Sequence, residues 1–156
     1  MYIVKFLIMT IGVYLITCFD FFNKLWCPFT CDLLAETNNH KTNLFFSPNW
    51  CPGSGGGDAL GFNWSGHNCW IVPPVRLIWR TISHLALCRG HSILIIPKWP
   101  SSTFWSLLWS SEDNNFQQFV RNHIEYVKRK GFFKLVHINT VFSLLKDCHS
   151  ISWYYT

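Results

Sequence analysis

At 156 residues and 49% apolar content the chain is one domain at most, with enough apolar mass to fill a core, which excludes a multidomain assembly. Charged residues are only 13%, and the net charge of +5 is compatible with nucleic acid or an anionic membrane without selecting either; an ordinary basic surface is the simpler account. Fourteen Phe, nine Trp and five Tyr are many aromatics for this length.

Residues 1–18 read as an apolar leader. A single Lys at position 5 precedes the run from Phe6 to Thr17, the form of a signal-peptide core or a short membrane span. It has no small-x-small cleavage site, and it is short against the roughly 20 residues a span needs. Asn63-Trp64-Ser65 is formally a glycosylation sequon. A small secreted or membrane-anchored protein is therefore one expectation, with a membrane partner only if the leader is used.

Residues 19–28 read as a short helix ended by Pro28. Residues 29–34 follow as a buried strand with Asp32 inside it. An acid there is costly unless paired or hydrogen-bonded, and two roles stay open: a functional carboxylate, or a structural one capping the next loop. The stretch from Ala35 to Trp50 is polar except for Phe45-Phe46, and Cys51 to Gly57 is a glycine-rich loop. That loop lacks the Lys, the Ser/Thr and the following helix of a phosphate cradle, so it reads as flexible surface. Phe62 to Trp64 makes a short edge strand or turn.

The centre of the chain is more informative. An apolar run over 68–72 meets Pro73-Pro74, and a helical pattern begins at once, with Pro74 at its first position. Val75, Ile78, Ile82 and Leu85 form an apolar face, Arg76, Arg80 and His84 a polar stripe, and Gly90 the terminating glycine. A second apolar run over 92–97 reads as a buried parallel strand. Such a βαβ unit places a site at the carboxyl ends of its strands, here Val72 to Val75. The aromatic stretch 98–109, beginning at Lys98, can stack bases or pack on the core; packing is the expectation, with Lys98 as its exception. Ser110-x-x-Asp113 opens a predicted amphipathic helix over 111–131, with Phe116, Val120, Ile124 and Val127 on one face and Lys128-Arg129-Lys130 before Gly131. Residues 132–156 show no period and read as a tail.

Seven cysteines, at 18, 27, 31, 51, 69, 88 and 148, are an odd number with no disulfide framework. Cys27-x3-Cys31, His67-x-Cys69 and Cys88-x2-His91 invite zinc, but two tight ligand pairs at regular spacing are missing. Free thiols in the nucleus or cytoplasm are the expectation, with no metal ligands assigned.

Several short motifs share one order. Phe29 to Ala35, Asn39-x-Lys41 and Asp58-Ala59-Leu60 come first; Trp64-Ser65-Gly66-His67-Asn68 then precedes Val72-Pro73-Pro74, and Leu94-Ile95-Ile96-Pro97-Lys98-Trp99-Pro100-Ser101 follows. Together, over roughly residues 19–110, they resemble the region after reverse transcriptase and RNase H in DIRS-type and related tyrosine-recombinase retroelements. That region is similar to phage-type DNA N6-adenine methyltransferases. The resemblance implies a partial Rossmann-like, methyltransferase-type α/β fold: a mostly parallel sheet containing 29–34, 68–72 and 92–97, flanking helices and ragged termini. It also implies S-adenosylmethionine as cofactor of an active member, with Asp32, Asn39 and Asp58 on the cofactor side; ordinary loop and turn hydrogen bonding is the competing role for these three.

In that family an Asn or Asp, two prolines and an aromatic hold the adenine amine and stack on the flipped base. Here Val72 and Val75 flank Pro73 and Pro74, so the polar acceptor and the aromatic are both lost. The expectation is thus a retroelement polyprotein fragment carrying a degenerate, non-catalytic methyltransferase-like domain. Its partner would be nucleic acid, through Arg76, Arg80, Lys98, Lys128, Arg129 and Lys130. An active adenine methyltransferase is the alternative. On this account residues 1–18 and 135–156 are read-through sequence outside the domain.

Overall fold

A computed structural model describes the backbone of residues 4–9, 15–26, 28–129 and 132–136, and side chains over 19–26, 28–120 and 123. In chain order its elements are β1 (Val4–Met9), α1 (Leu15–Leu25), β2 (Cys31–Leu33), β3 (Phe45–Phe46), β4 (Asn68–Ile71), α2 (Ile78–Cys88), β5 (His91–Pro97), β6 (Trp109–Ser110), β7 (Asn115–Phe116), β8 (Val120–Arg129) and β9 (Phe132–Val136). Seven of the strands form one sheet in the order β3-β2-β4-β5-β1-β8-β9. Every neighbouring pair is parallel except β8 with β9. The chain is α/β with a mostly parallel sheet, and the strands expected near 29–34, 68–72 and 92–97 are β2, β4 and β5.

Those three are mostly apolar, with Asp32 the charged exception, because both faces of the sheet are covered. On one face Cys69 and Ile71 of β4 and Leu94 and Ile96 of β5 pack with Ile78, Ile82 and Leu85 of α2, Trp64 and Leu108. On the other, Trp70, Ile93 and Ile95 pack with Phe19 and Phe22 of α1 and with Phe29, and Val72 lies against this second core. The two helices therefore cover opposite faces.

The helix α2 starts and ends differently from the pattern. Pro74 is extended (φ −54°, ψ 144°), and its carbonyl accepts from the Leu77 N–H at 2.8 Å. A 3₁₀ turn over Val75–Leu77 intervenes, so the α-helix begins one turn after Pro74. Val75 is 56% exposed and leaves the apolar face to Ile78, Ile82 and Leu85. At the other end Arg89, not Gly90, takes the left-handed conformation (φ 52°) and closes onto Leu85 O at 3.1 Å. Gly90 is required for another reason: a Cβ there would lie 2.8 Å from the Trp64 carbonyl oxygen, a backbone atom. Gly90→Ala should therefore destabilise by roughly 1–3 kcal/mol, the usual range for overpacking. A lower urea midpoint at unchanged slope would register it.

Three further expectations are corrected. The predicted helix over 111–131 is absent: Ser110 and Asp113 instead brace a tight turn joining β6 to β7, with Asp113 N–H donating to Ser110 Oγ at 3.3 Å. Residues 120–129 form β8, paired with β1. Val120, Ile124, Tyr126 and Val127 are β-branched or aromatic, and the otherwise open edge of β1 supplies a partner that helical spacing does not reveal. The leader is likewise not set apart, since Val4–Met9 is an interior strand between β5 and β8, and α1 runs across the expected boundary at residue 18. Six residues, five of them apolar, are enough for a strand. The glycine-rich loop is fastened rather than loose, Gly55 N–H donating to Phe45 O at 2.8 Å and Ser47 N–H to Ser54 Oγ at 3.2 Å. Among the described residues no helix is long and apolar enough to cross a membrane. Lys130, Gly131 and residues 137–156 lie outside the described residues.

Candidate nucleic-acid interface

The chain leaves β2 towards β3 and leaves β4 towards β5, in opposite directions across the sheet, although β2 and β4 are neighbours. Diverging connections of this kind open a crevice at the carboxyl ends of the two strands. Leu34, Ala35 and Glu36 border it after β2, and Val72, Pro73 and Pro74 border it after β4. Leu34 is held at φ 65°, its N–H donating to Phe46 O at 2.8 Å. A branched residue there stores roughly 1–2 kcal/mol of strain. Pro73 is buried, Val72 and Pro74 are half-buried, and Val75 is exposed. The turn thus aims the chain into α2, and none of its four side chains presents a polar group to the crevice.

The three residues placed on the cofactor side all serve backbone donors nearby. Asp32 Oδ2 accepts from Lys41 N–H at 2.7 Å, Asn39 Oδ1 from Glu36 N–H at 2.7 Å, and Asp58 Oδ1 from Leu60 N–H at 3.1 Å. Asp32 is buried, and its pKa is pushed up from 3.8 to about 6; desolvation is the main cause, opposed by the Lys41 hydrogen bond and by the charges of His40 and Lys41. His40 itself stacks flat on Phe45, with ring centroids 4.2 Å apart. Asp32 and Asn39 both brace the loop between β2 and β3, and Asp58 caps the 3₁₀ turn over Ala59–Gly61, which is the loop and turn role that competed with cofactor binding.

The basic residues are arranged differently. Arg76 and Arg80 are exposed at the start of α2, and Lys98 is exposed just past the end of β5. Pro97 lies beside Met9, and Met9 beside Tyr126. Lys128 and Arg129, the next positions but one along β8, therefore extend past the same carboxyl edge. Four of the six expected basic positions share this edge and Arg80 lies one turn down α2; Lys130 is outside the described residues. Glu36 is exposed after β2, yet no acid occurs between Asp58 and Glu112, a span holding Arg76, Arg80, Arg89 and Lys98. That acid-free span is legible in the sequence as a property of the whole stretch, not of any single motif.

Trp79 was missed for a related reason. It falls off the 78–82–85 apolar stripe and stands 54% exposed between Arg76 and Arg80. The aromatic stretch after β5 behaves as expected in the main, with Phe104, Trp105 and Leu108 buried in the first core. Trp99 is the exception, on the exposed side of its Phe104 neighbour.

His84, the third member of the polar stripe, turns inward. Its Nε2 lies 2.8 Å from Phe62 O and 3.1 Å from Cys88 Sγ, and its ring meets Trp64 edge to face. Cys31 and Cys69 are buried opposite each other on β2 and β4. The hydrogen bond between them, with burial, pushes the Cys69 thiol up and keeps it protonated. Among the described residues no group of three or more His, Cys, Asp or Glu is placed to hold a metal ion. Comparison of the chain with protein-family models, with curated proteins and with solved structures gave no match.

Proposed function

We propose that this chain is a non-catalytic, nucleic-acid-binding module on a Rossmann-like sheet, of the degenerate methyltransferase-like type carried in retroelement polyproteins. One observation carries the binding role: Arg76, Lys98, Lys128 and Arg129 lie at the carboxyl edge of the parallel sheet, next to the crevice between β2 and β4. Cations clustered on one edge attract a polyanion and release its counterions. Methyl transfer is left out of the reading because Val72 has no acceptor to offer an exocyclic amine and lies against the second core. The buried free thiols of Cys31 and Cys69 suit a reducing compartment, and together with a nucleic-acid ligand they support a nuclear or cytoplasmic home.

Equilibrium binding of a fluorescent oligonucleotide across a salt series tests the proposal. With about four phosphates neutralised on a single strand, affinity should fall roughly 50-fold between about 50 and about 200 mM salt. Replacing Arg76 and Arg80 together by Ala should make that dependence shallower. An affinity indifferent to salt overturns the binding role. Calorimetric titration with S-adenosylmethionine addresses the catalytic alternative; should the cofactor bind, Val72→Asn is expected to raise methyl transfer.

A further inference from the structure

We infer that the ligand is single-stranded and that Trp79 is the residue on which one of its bases stacks. This rests on the nucleic-acid reading above and goes beyond it in naming the strand state and the contact. Trp79 belongs to neither core, and among the described residues its ring meets no other ring. An indole 54% exposed forgoes burial that would favour it elsewhere, so its position calls for a partner. Arg76 and Arg80 lie three residues before it and one after, on the same outward side of α2. One flat apolar face with two guanidinium groups to one side of it suits a base joined to its own phosphates.

A duplex keeps its base faces inside the stack, where an indole on a helix surface has no access without unstacking them. A single strand presents those faces freely, which decides between the two. A membrane surface suits the helix less well. Val75 and Leu87 are exposed as well, but the guanidinium groups of Arg76 and Arg80 lie among these apolar groups, which favours a ligand that offers a flat face and phosphates together.

The test uses the full chain, an oligothymidylate of about 15 nucleotides, a hairpin duplex of equal phosphate number, and anionic phospholipid vesicles. Oligothymidylate should bind more tightly than the duplex. Trp79→Ala should weaken oligothymidylate binding roughly 5- to 150-fold, the range of one base stack, leave duplex binding unchanged and leave the salt slope unaltered. Trp79→Phe should retain most of the affinity. The Arg76→Ala and Arg80→Ala variants should instead reduce the salt slope, by about 0.7 each. If Trp79→Ala leaves oligothymidylate affinity intact while the arginine variants weaken it, stacking is overturned and the binding role stands. If Trp79→Ala abolishes vesicle binding alone, the face is a membrane contact and the inference fails. If the unaltered chain binds neither nucleic acid, both proposals fall. Trp79 supports no core, so none of these readings depends on a folding defect.

Discussion

Replacing Trp70 by alanine should cost about 3–5 kcal/mol, the range for removing a buried aromatic from a core. Trp70 is 1% exposed on β4, an interior strand, and it joins the sheet to α1. Phe19 meets it edge to face with centroids 5.2 Å apart, and Phe29 lies at 5.3 Å. Removing the indole leaves both rings facing a void, with few other side chains free to fill it. A domain holds about 5–15 kcal/mol in total, so this single change takes a large part of it. Denaturant unfolding would measure the loss, and helical circular dichroism should fall as α1 loses its seat. Trp70→Phe, which keeps a ring, should cost distinctly less. A loss under about 1 kcal/mol for the alanine variant would mean that α1 is not packed on this face.

Stability should also fall as pH rises from about 4 to above 6, through Asp32. Its folded-state pKa is raised from 3.8 to about 6, mainly by desolvation. Below the lower value the carboxyl is protonated whether the chain is folded or not, and this contribution is complete. Between the two values the unfolded chain ionises while the folded one holds its proton, so each step in pH favours unfolding. Above the higher value both forms are ionised and the loss ends, at roughly 3 kcal/mol. Asp32→Asn should remove that component. Compared with the unaltered chain it should be more stable at neutral pH and no more stable near pH 4, because its side-chain oxygen can still accept from Lys41 N–H. Its amide NH2 is a new donor that needs an acceptor, which keeps the gain below the full amount. Denaturant midpoints of the two proteins across pH measure the difference. A difference of opposite sign would mean that His40, Lys41 and the backbone bond outweigh burial.

Legibility in the sequence followed the reach of the forces. The strands β2, β4 and β5 were visible because burial on both faces writes a mostly apolar run, and Pro73-Pro74 marked the turn into α2 by local sterics alone. Elements that depend on distant partners were not visible. Val4–Met9 has the same local signature as a leader, and only its pairing with Ser92–Pro97 and with Val120–Tyr126 makes it a strand. Phe116, Val120, Ile124 and Val127 satisfy a helical period by spacing, while their residue types favour the sheet, and tertiary pairing decided it. Gly90 was recognised as a special glycine, but the approach of Trp64 O is invisible without coordinates. At the site, the basic positions were readable one by one. Their gathering on one edge depends on the direction of β8, and Trp79 became evident only once α2 was seen to turn it outward.

The position of β1 has a consequence for how the chain is made. Val4 lies beside Ser92 on one side and Val120 on the other, so β1, which precedes both partners in the chain, is among the last of these strands to be enclosed. More than half the chain must be synthesised before either edge of Val-Lys-Phe-Leu-Ile-Met can pair. During that interval a short, strand-favouring segment has two unsatisfied edges and a single charge, Lys5, to discourage pairing with a neighbouring nascent chain. The hazard to a cell expressing this protein is therefore concentrated at β1 and in the period of translation. A chaperone holding this segment would protect the chain when it is most exposed to aggregation.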